Sequence, residues 1–549
     1  MDDSDTPIPS HLGSTRRRSK CTRSRTGCRT CRARRVKCDE TPGACRRCTS
    51  TGRACEGYEI QRLPLKNELW SKISADMGSG FRWVITSDER RCFSYFQHHT
   101  VPTFREMFDS SLWQKLVLQM GQSEPAVYHA TVALSAIHQD SEARGMPLAA
   151  NYPTRIQGPW LRFAHEQLGR AFQILTRRRA SPDPRLRNVT LLCCLLFVLS
   201  DLLQGHYDDA FTHLQSGLRI LRELQAEREL VAPTPREERV ERCLVAAFAQ
   251  LDIVSAHYGV GGPLLCIDSV PTQWQSQPTS AVPFNSLQEA RAAFSLVTSA
   301  AYRFMNAAIG GDITRDYAAI QSTQLRVRSL ATRFWQSFEP FYRSTYHRLD
   351  RKEQRSIELI HLQYLGVMVS LETAMLAGSE TALAAFTPAL ERIVSLAESI
   401  MIRFPERPTI SIDVGVLPLL YDGAMICRDY RIRWRAIKLL RSWPHREGPF
   451  DSNWILALAE EALRLDLLAD PAVSLEGEAA SSSLDDIEFV PGRVLRDLNE
   501  RRTWVKQNLA QMGEVLDDAA SPADYLGAVK CVAGWSCMRA FKARFPGQC

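Results

Sequence analysis

The chain has 549 residues and a formal charge of +7, and the excess sits at one end. Residues 1–58 hold fourteen Lys and Arg against six Asp and Glu, a balance of +8, whereas the other 491 residues balance at −1. A cationic surface along the whole chain is thereby excluded, and the opening MDDSDTPIPS lacks the basic and apolar regions of a secretory leader.

Residues 1–27 read as a disordered basic arm. Its RRRSK run, Arg16 to Lys20, continues to Arg23 and Arg25 and is expected to direct nuclear import. Six cysteines follow, Cys28, Cys31, Cys38, Cys45, Cys48 and Cys55, as two copies of C-x2-C-x6-C separated by six residues. A CxxC pair places two sulfurs on one turn of backbone, and a third thiolate six residues on closes the shell. Three thiolates per half are one short of a tetrahedral site, so two zinc ions sharing six thiolates, two of them bridging, resolve the deficit. A disulfide framework would suit a small secreted domain instead. The adjacent Cys193 and Cys194 in an apolar run read as buried free thiols of a reducing compartment, and Cys21 as a spare thiol outside the repeat.

Between the second and third ligands, where a short helix is expected, lie Arg32, Arg34, Arg35 and Lys37. A concentrated basic patch beside a structural metal is the footprint of a phosphate-backbone binder, and arginine's planar fork matches guanine O6 and N7. Residues 28–58, with the R-x-R-R-x-K-C run and the closing G-R-x-C-x-G-Y of Gly52 to Tyr58, resemble the DNA-binding module of the fungal Zn2Cys6 binuclear zinc-cluster transcription factors. The resemblance implies Cys28 and Cys45 as bridging ligands. One zinc then takes Cys28, Cys31, Cys38 and Cys45, the other Cys28, Cys45, Cys48 and Cys55. It also implies Arg34 and Arg35 as readers of a CGG-like triplet, with Arg32 and Lys37 on phosphates. One departure is Gly43, which stands where the family often has proline, the proline here being Pro42. A module with so little apolar core takes its folding energy from the metals.

Residues 59–83 read as a linker. Leu65, Leu69, Ile73 and Met77 recur at four-residue steps and are then stopped by glycines, too few for a dimerising coiled coil, so a weak homodimer or none is expected. From residue 84 to 549 the pattern is helical almost throughout. One apolar face is Leu161, Ala164, Leu168, Ala171, Phe172 and Leu175. A second is Leu287, Ala290, Phe294, Val297, Ala301 and Phe304, and a third Leu390, Ile393, Ala397 and Ile400. Strand-like alternation is scarce, and the length leaves room for two helical lobes. The run Val189 to Ser200 is short for a membrane span and reads as a buried helix. GHYDDAFTHLQSGLRIL, from Gly205, is like half a tetratricopeptide repeat but has no second copy. The wider stretch resembles the all-helical regulatory region that follows the zinc cluster in many fungal factors. The acidic-hydrophobic segment 474–490 reads as a solvated loop, with an activation surface as the alternative.

Signatures of hydrolases, metalloproteases and P-loop proteins are absent, and His98, His99, His165 and Glu166 read as ordinary helix residues. The expected fold is therefore mostly α, a small Zn2Cys6 cluster followed by a large all-α regulatory domain. The expected function is a nuclear, non-enzymatic transcription factor with two Zn2+ per chain, partnered by double-stranded DNA and co-regulators and not by membrane. A helical scaffold whose zinc module binds protein or RNA is the alternative, and the placement of the arginines argues against it.

Overall fold

The computed structural model describes residues 27–39, 41, 45–55, 83, 85–146, 158–183, 185–224, 241–258, 263–265, 283–310, 313–374, 376, 380–471 and 489–511. The basic arm, residues 59–82 of the linker, most of the 474–490 segment and the C-terminal 512–549 lie outside them. The chain divides into two compact units, Met1–Pro64 with Thr86–Asp88, and Leu65–Ile85 with Glu89–Cys549. The helical part is thus one unit, and the two lobes that its length allowed are not found.

The first unit contains two short helices, α1 (Arg29–Ala33) and α2 (Arg46–Thr49). Its interior is Cys28, Cys31, Cys38, Cys45 and Cys48, with Val36 and Cys55 packed against them. One aliphatic side chain cannot offset the entropy of ordering thirty residues, so sulfur chemistry has to hold this unit together.

Helix α3 (Ser87–Tyr95), in the second unit from Glu89 onward, runs through a π-helical turn, Phe96–Thr100, into α4 (Val101–Arg105). Further on, α5 (Pro125–Ala143) packs against α6 (Pro159–Arg178) and α7 (Arg185–Gln204). Proline at the first position of α5 and α6 starts each helix where no amide donor is needed. The apolar run seen in the sequence lies inside α7. Helix α7 is long and apolar enough to cross a membrane by length and composition, yet 67% of its apolar window is buried inside the protein. It ends at Gly205, whose φ of +77° makes the turn into the next helix, Tyr207–Glu223. The three apolar faces turn mostly to the core, with Leu168, Leu175 and Leu287 half-buried. Leu390, Ile393, Ala397 and Ile400 are all buried, as are Ala290 to Phe304 of the second face, while Phe172 is exposed and stacks on Phe197.

The unit also contains a three-stranded sheet that an all-helical reading omits. β1 (Ile410–Ser411) pairs in parallel with β2 (Arg446–Glu447), which pairs antiparallel with β3 (Phe450–Asp451). Strands of two residues have no alternation to detect, and burial holds them. Arg446 is buried, pairs with Asp451 at 3.2 Å and donates to Leu203 O at 2.8 Å. Glu447, with no exposed surface, accepts from the backbone N–H groups of Gly415, Val416 and Leu417 at 2.8–3.1 Å. Those donors form the N-terminus of helix Leu417–Met425, where a carboxylate answers both the orphan amides and the dipole.

Candidate metal centre and nucleic-acid interface

The six cysteines converge through the same local geometry used twice. Cys28 N-caps α1 by accepting from Cys31 N at 3.3 Å, and Cys45 N-caps α2 by accepting from Cys48 N at 3.3 Å. The third cysteine of each half then returns to the first. Cys38 Sγ accepts from Cys28 N at 3.4 Å, and Cys55 Sγ from Cys45 N at 3.3 Å. N–H groups aimed at sulfur favour the thiolate, the form that binds metal.

The sulfur distances fit metal ligation. Cys28–Cys45, Cys31–Cys45, Cys28–Cys48 and Cys31–Cys48 lie 3.5, 3.6, 3.7 and 3.7 Å apart. Disulfides need about 2.05 Å, whereas Zn–S bonds of about 2.3 Å give a tetrahedral edge of roughly 3.8 Å. Among the described residues every cysteine is a free thiol. Cys28, Cys31, Cys45 and Cys48 are the tightest group, and Cys38 and Cys45 also lie within 4.8 Å of one another. Burial pushes the Cys28 thiol up to about 12 and raises Cys31 and Cys45 as well, so a buried thiolate cluster calls for a compensating cation. Zinc supplies that charge and the bonds that tie the two halves together. The donor set fits two zinc ions, the cofactor this kind of module carries.

Both halves end their helix with the same turn. Val36 N donates to Cys31 O at 3.0 Å and Arg35 N to Arg32 O at 3.1 Å. In the second half Arg53 N donates to Cys48 O and Gly52 N to Thr49 O, both at 3.1 Å. This paired bonding places the residue before Val36 or Arg53 in the left-handed region. The second half uses Gly52, φ +64°, as the backbone prefers, but the first uses Arg35, φ +58°. An L-residue there costs about 1–2 kcal/mol relative to its right-handed conformation.

The basic side chains divide by environment. Arg32, Arg35 and Lys37 are exposed, whereas Arg34 is half-buried and donates from Nη1 to Thr51 Oγ1 at 3.4 Å. Thr30 Oγ1 likewise donates across the halves, to Ala54 O at 3.2 Å. One residue the sequence reading passed over is Asp39. Its carboxylate accepts from Arg46 N and Arg47 N, both at 2.9 Å, and from Thr41 Oγ1 at 2.5 Å. The Thr41 hydroxyl and those amides hold Asp39 well below the usual carboxylate range. An Asp seven residues before an Arg-Arg pair was the available signal, but the cap is formed across the turn and not within one helix.

Comparison with known proteins adds the following. Residues 26–64 match the fungal Zn(2)-Cys(6) binuclear cluster domain, and residues 91–287 the fungal specific transcription factor domain. The chain is 24% identical to the aspercryptin biosynthesis cluster-specific transcription regulator atnN of Emericella nidulans, covering 80% of this chain and 87% of that protein. It is 25% identical to transcription regulator lscL of Purpureocillium lilacinum over 38% of this chain and 49% of that protein. No solved structure matches.

Proposed function

We propose that this chain, a transcription factor of the fungal binuclear zinc-cluster family, selects its genes by reading a CGG-like triplet with Arg35 as the principal base-contacting side chain. The observation that carries this reading is the left-handed backbone at Arg35. Gly52 fills the equivalent turn without strain, so a large cation kept at the strained position argues for a use of that side chain outside the fold. The exposed guanidinium stands at the end of α1, and a bidentate arginine–guanine pair discriminates against the wrong base by about 1–3 kcal/mol.

Arg34, bound toward Thr51, serves as the second reader and steadies the two halves. Arg32 and Lys37 contact phosphates, which set register and supply salt-dependent affinity. Cys28 and Cys45 bridge the two zinc ions. The domains follow as an import arm over 1–27, the DNA-binding module over 28–58, a linker over 59–83 and the regulatory domain over 84–549. The protein acts in the nucleus without catalysis, as a monomer or weak dimer on a single triplet, and recruits co-regulators through the helical unit. By likeness to the aspercryptin regulator, its targets are the genes of a biosynthetic cluster.

Selection of the full chain against a random DNA library tests the reading. Enrichment of one CGG-like triplet, lost in Arg35→Ala, is expected. Unchanged site preference in Arg35→Ala, or enrichment only of two triplets at one fixed spacing, would overturn it.

A further inference from the structure

Two segments some forty residues apart in sequence bring three side chains together in the helical unit. His99 lies on the π-helical turn 96–100, and His138 and Glu142 are one turn apart on α5. His99 Nε2 is 2.9 Å from Glu142 Oε2, and His138 Nε2 is 3.2 Å from Glu142 Oε1. The three donor atoms all lie within 4.8 Å of one another. We propose that His99, His138 and Glu142 form a third zinc site, independent of the cysteine cluster.

The donor set is the first support. Two imidazole nitrogens and a carboxylate are a recognised zinc shell, and Zn–N and Zn–O bonds of about 2.0–2.2 Å give a tetrahedral edge of roughly 3.3 Å. The two imidazole–carboxylate separations, 2.9 and 3.2 Å, need only a few tenths of an ångström of expansion, and the two imidazole nitrogens lie within 4.8 Å of one another. The outer groups are in place as well. Thr100 Oγ1 lies 3.0 Å from His138 Nδ1, the kind of partner that fixes an imidazole's second nitrogen and turns Nε2 toward a metal. Thr409 Oγ1 lies 2.8 Å from His138 Nε2 and donates to Glu142 Oε1 at 2.6 Å, so its hydroxyl stands beside two of the three donor atoms.

Tyr95 donates from its hydroxyl to Glu142 and so stands as an outer partner of the carboxylate. The His99 side chain is 40% exposed, which gives an ion a way in. The π-helical turn also has a purpose in this arrangement, since such turns re-aim side chains within an otherwise regular helix. A bound zinc would join the turn 96–100, α5 and the segment before β1.

The test is zinc titration of the full chain against a chromophoric chelator, comparing wild type with His99→Gln and Glu142→Gln and checking the helical melt of each. Three tight zinc ions in wild type and two in each variant are expected. With cobalt substituted, the thiolate charge-transfer band should be unchanged in the variants. Two zinc ions in wild type and variants alike would overturn the third site and leave the cysteine cluster standing. Loss of the thiolate band in His99→Gln would overturn the independence of the two sites.

Discussion

Replacing Arg35 by glycine should separate the two things that residue does. At φ +58° the arginine occupies a position where the matching turn has Gly52, and both turns carry the same pair of backbone hydrogen bonds. Glycine removes a strain of about 1–2 kcal/mol, and its extra freedom in the unfolded chain returns roughly 0.5–1 kcal/mol of that. The net gain of about 0.5–1 kcal/mol is a two- to fivefold increase in the folding constant of the module. Because folding and zinc binding are coupled, it should appear as two- to fivefold greater resistance to a chelator. DNA affinity should move the other way, falling about 10- to 100-fold on the preferred site with little change on random DNA. Arg35→Ala keeps the strain and loses the guanidinium, so it should match the glycine variant on DNA without its gain in stability. Gly52→Ala supplies the converse. Its added Cβ meets nothing within 4 Å among the described residues, so the chelator resistance it loses is conformational, and site preference should stay. Fluorescence anisotropy and zinc competition on the full chain measure both quantities. If Arg35→Gly is no more chelator-resistant than wild type, the strain argument fails, and if it keeps its site preference, the readout argument fails.

Lys37→Ala should weaken specific and random DNA alike and lower the slope of log K against log salt by about one, since it removes a phosphate contact. A loss confined to the preferred site would move Lys37 among the base readers. Cys28→Ser should disturb both zinc ions of the cluster, whereas Cys21→Ser should leave metal content unchanged, as elemental analysis would show. Glu447→Ala leaves three buried amides at the start of helix Leu417–Met425 without their acceptor and should cost at least about 3 kcal/mol in thermal or denaturant unfolding. A variant within about 1 kcal/mol of wild type would mean that water replaces the carboxylate.

The parts legible in the sequence were those whose signal is local. The cysteine spacing gave the metal centre because CxxC geometry is set within one turn, and the 3.6-residue periodicity gave Leu390 to Ile400 as a buried face. Arg35 was picked out as a DNA-contacting side chain, but its backbone was not legible, because arginine carries no signal for a left-handed turn. Asp39, Glu447 and the His99–His138–Glu142 group were missed for another reason. Asp39 reaches seven residues on, Glu447 some thirty back and His99 some forty on to Glu142, where no pattern links the partners until the chain is folded, and the i,i+4 spacing of His138 and Glu142 alone does not single them out. The sheet escaped notice because its two-residue strands are specified by buried pairs such as Arg446–Asp451 and not by a periodic run.

The near-repeat of the cysteine unit has a consequence for direction. A scaffold built from two equivalent halves could in principle meet DNA equally well either way round, since each half offers a short helix, a cap and a turn of the same shape. The chain breaks that equivalence at the turn, with an exposed cation in one half and Gly52, which has no side chain, in the other, and again where Arg32, Arg34 and Lys37 stand opposite Thr49, Thr51 and Ala54. A one-sided reader imposes polarity on whatever it reads. An inverted triplet should therefore reverse the bound protein, and a cleavage reagent tethered near residue 53 would report this by cutting on the opposite flank. Cutting on both flanks of one triplet would mean that the halves are used interchangeably.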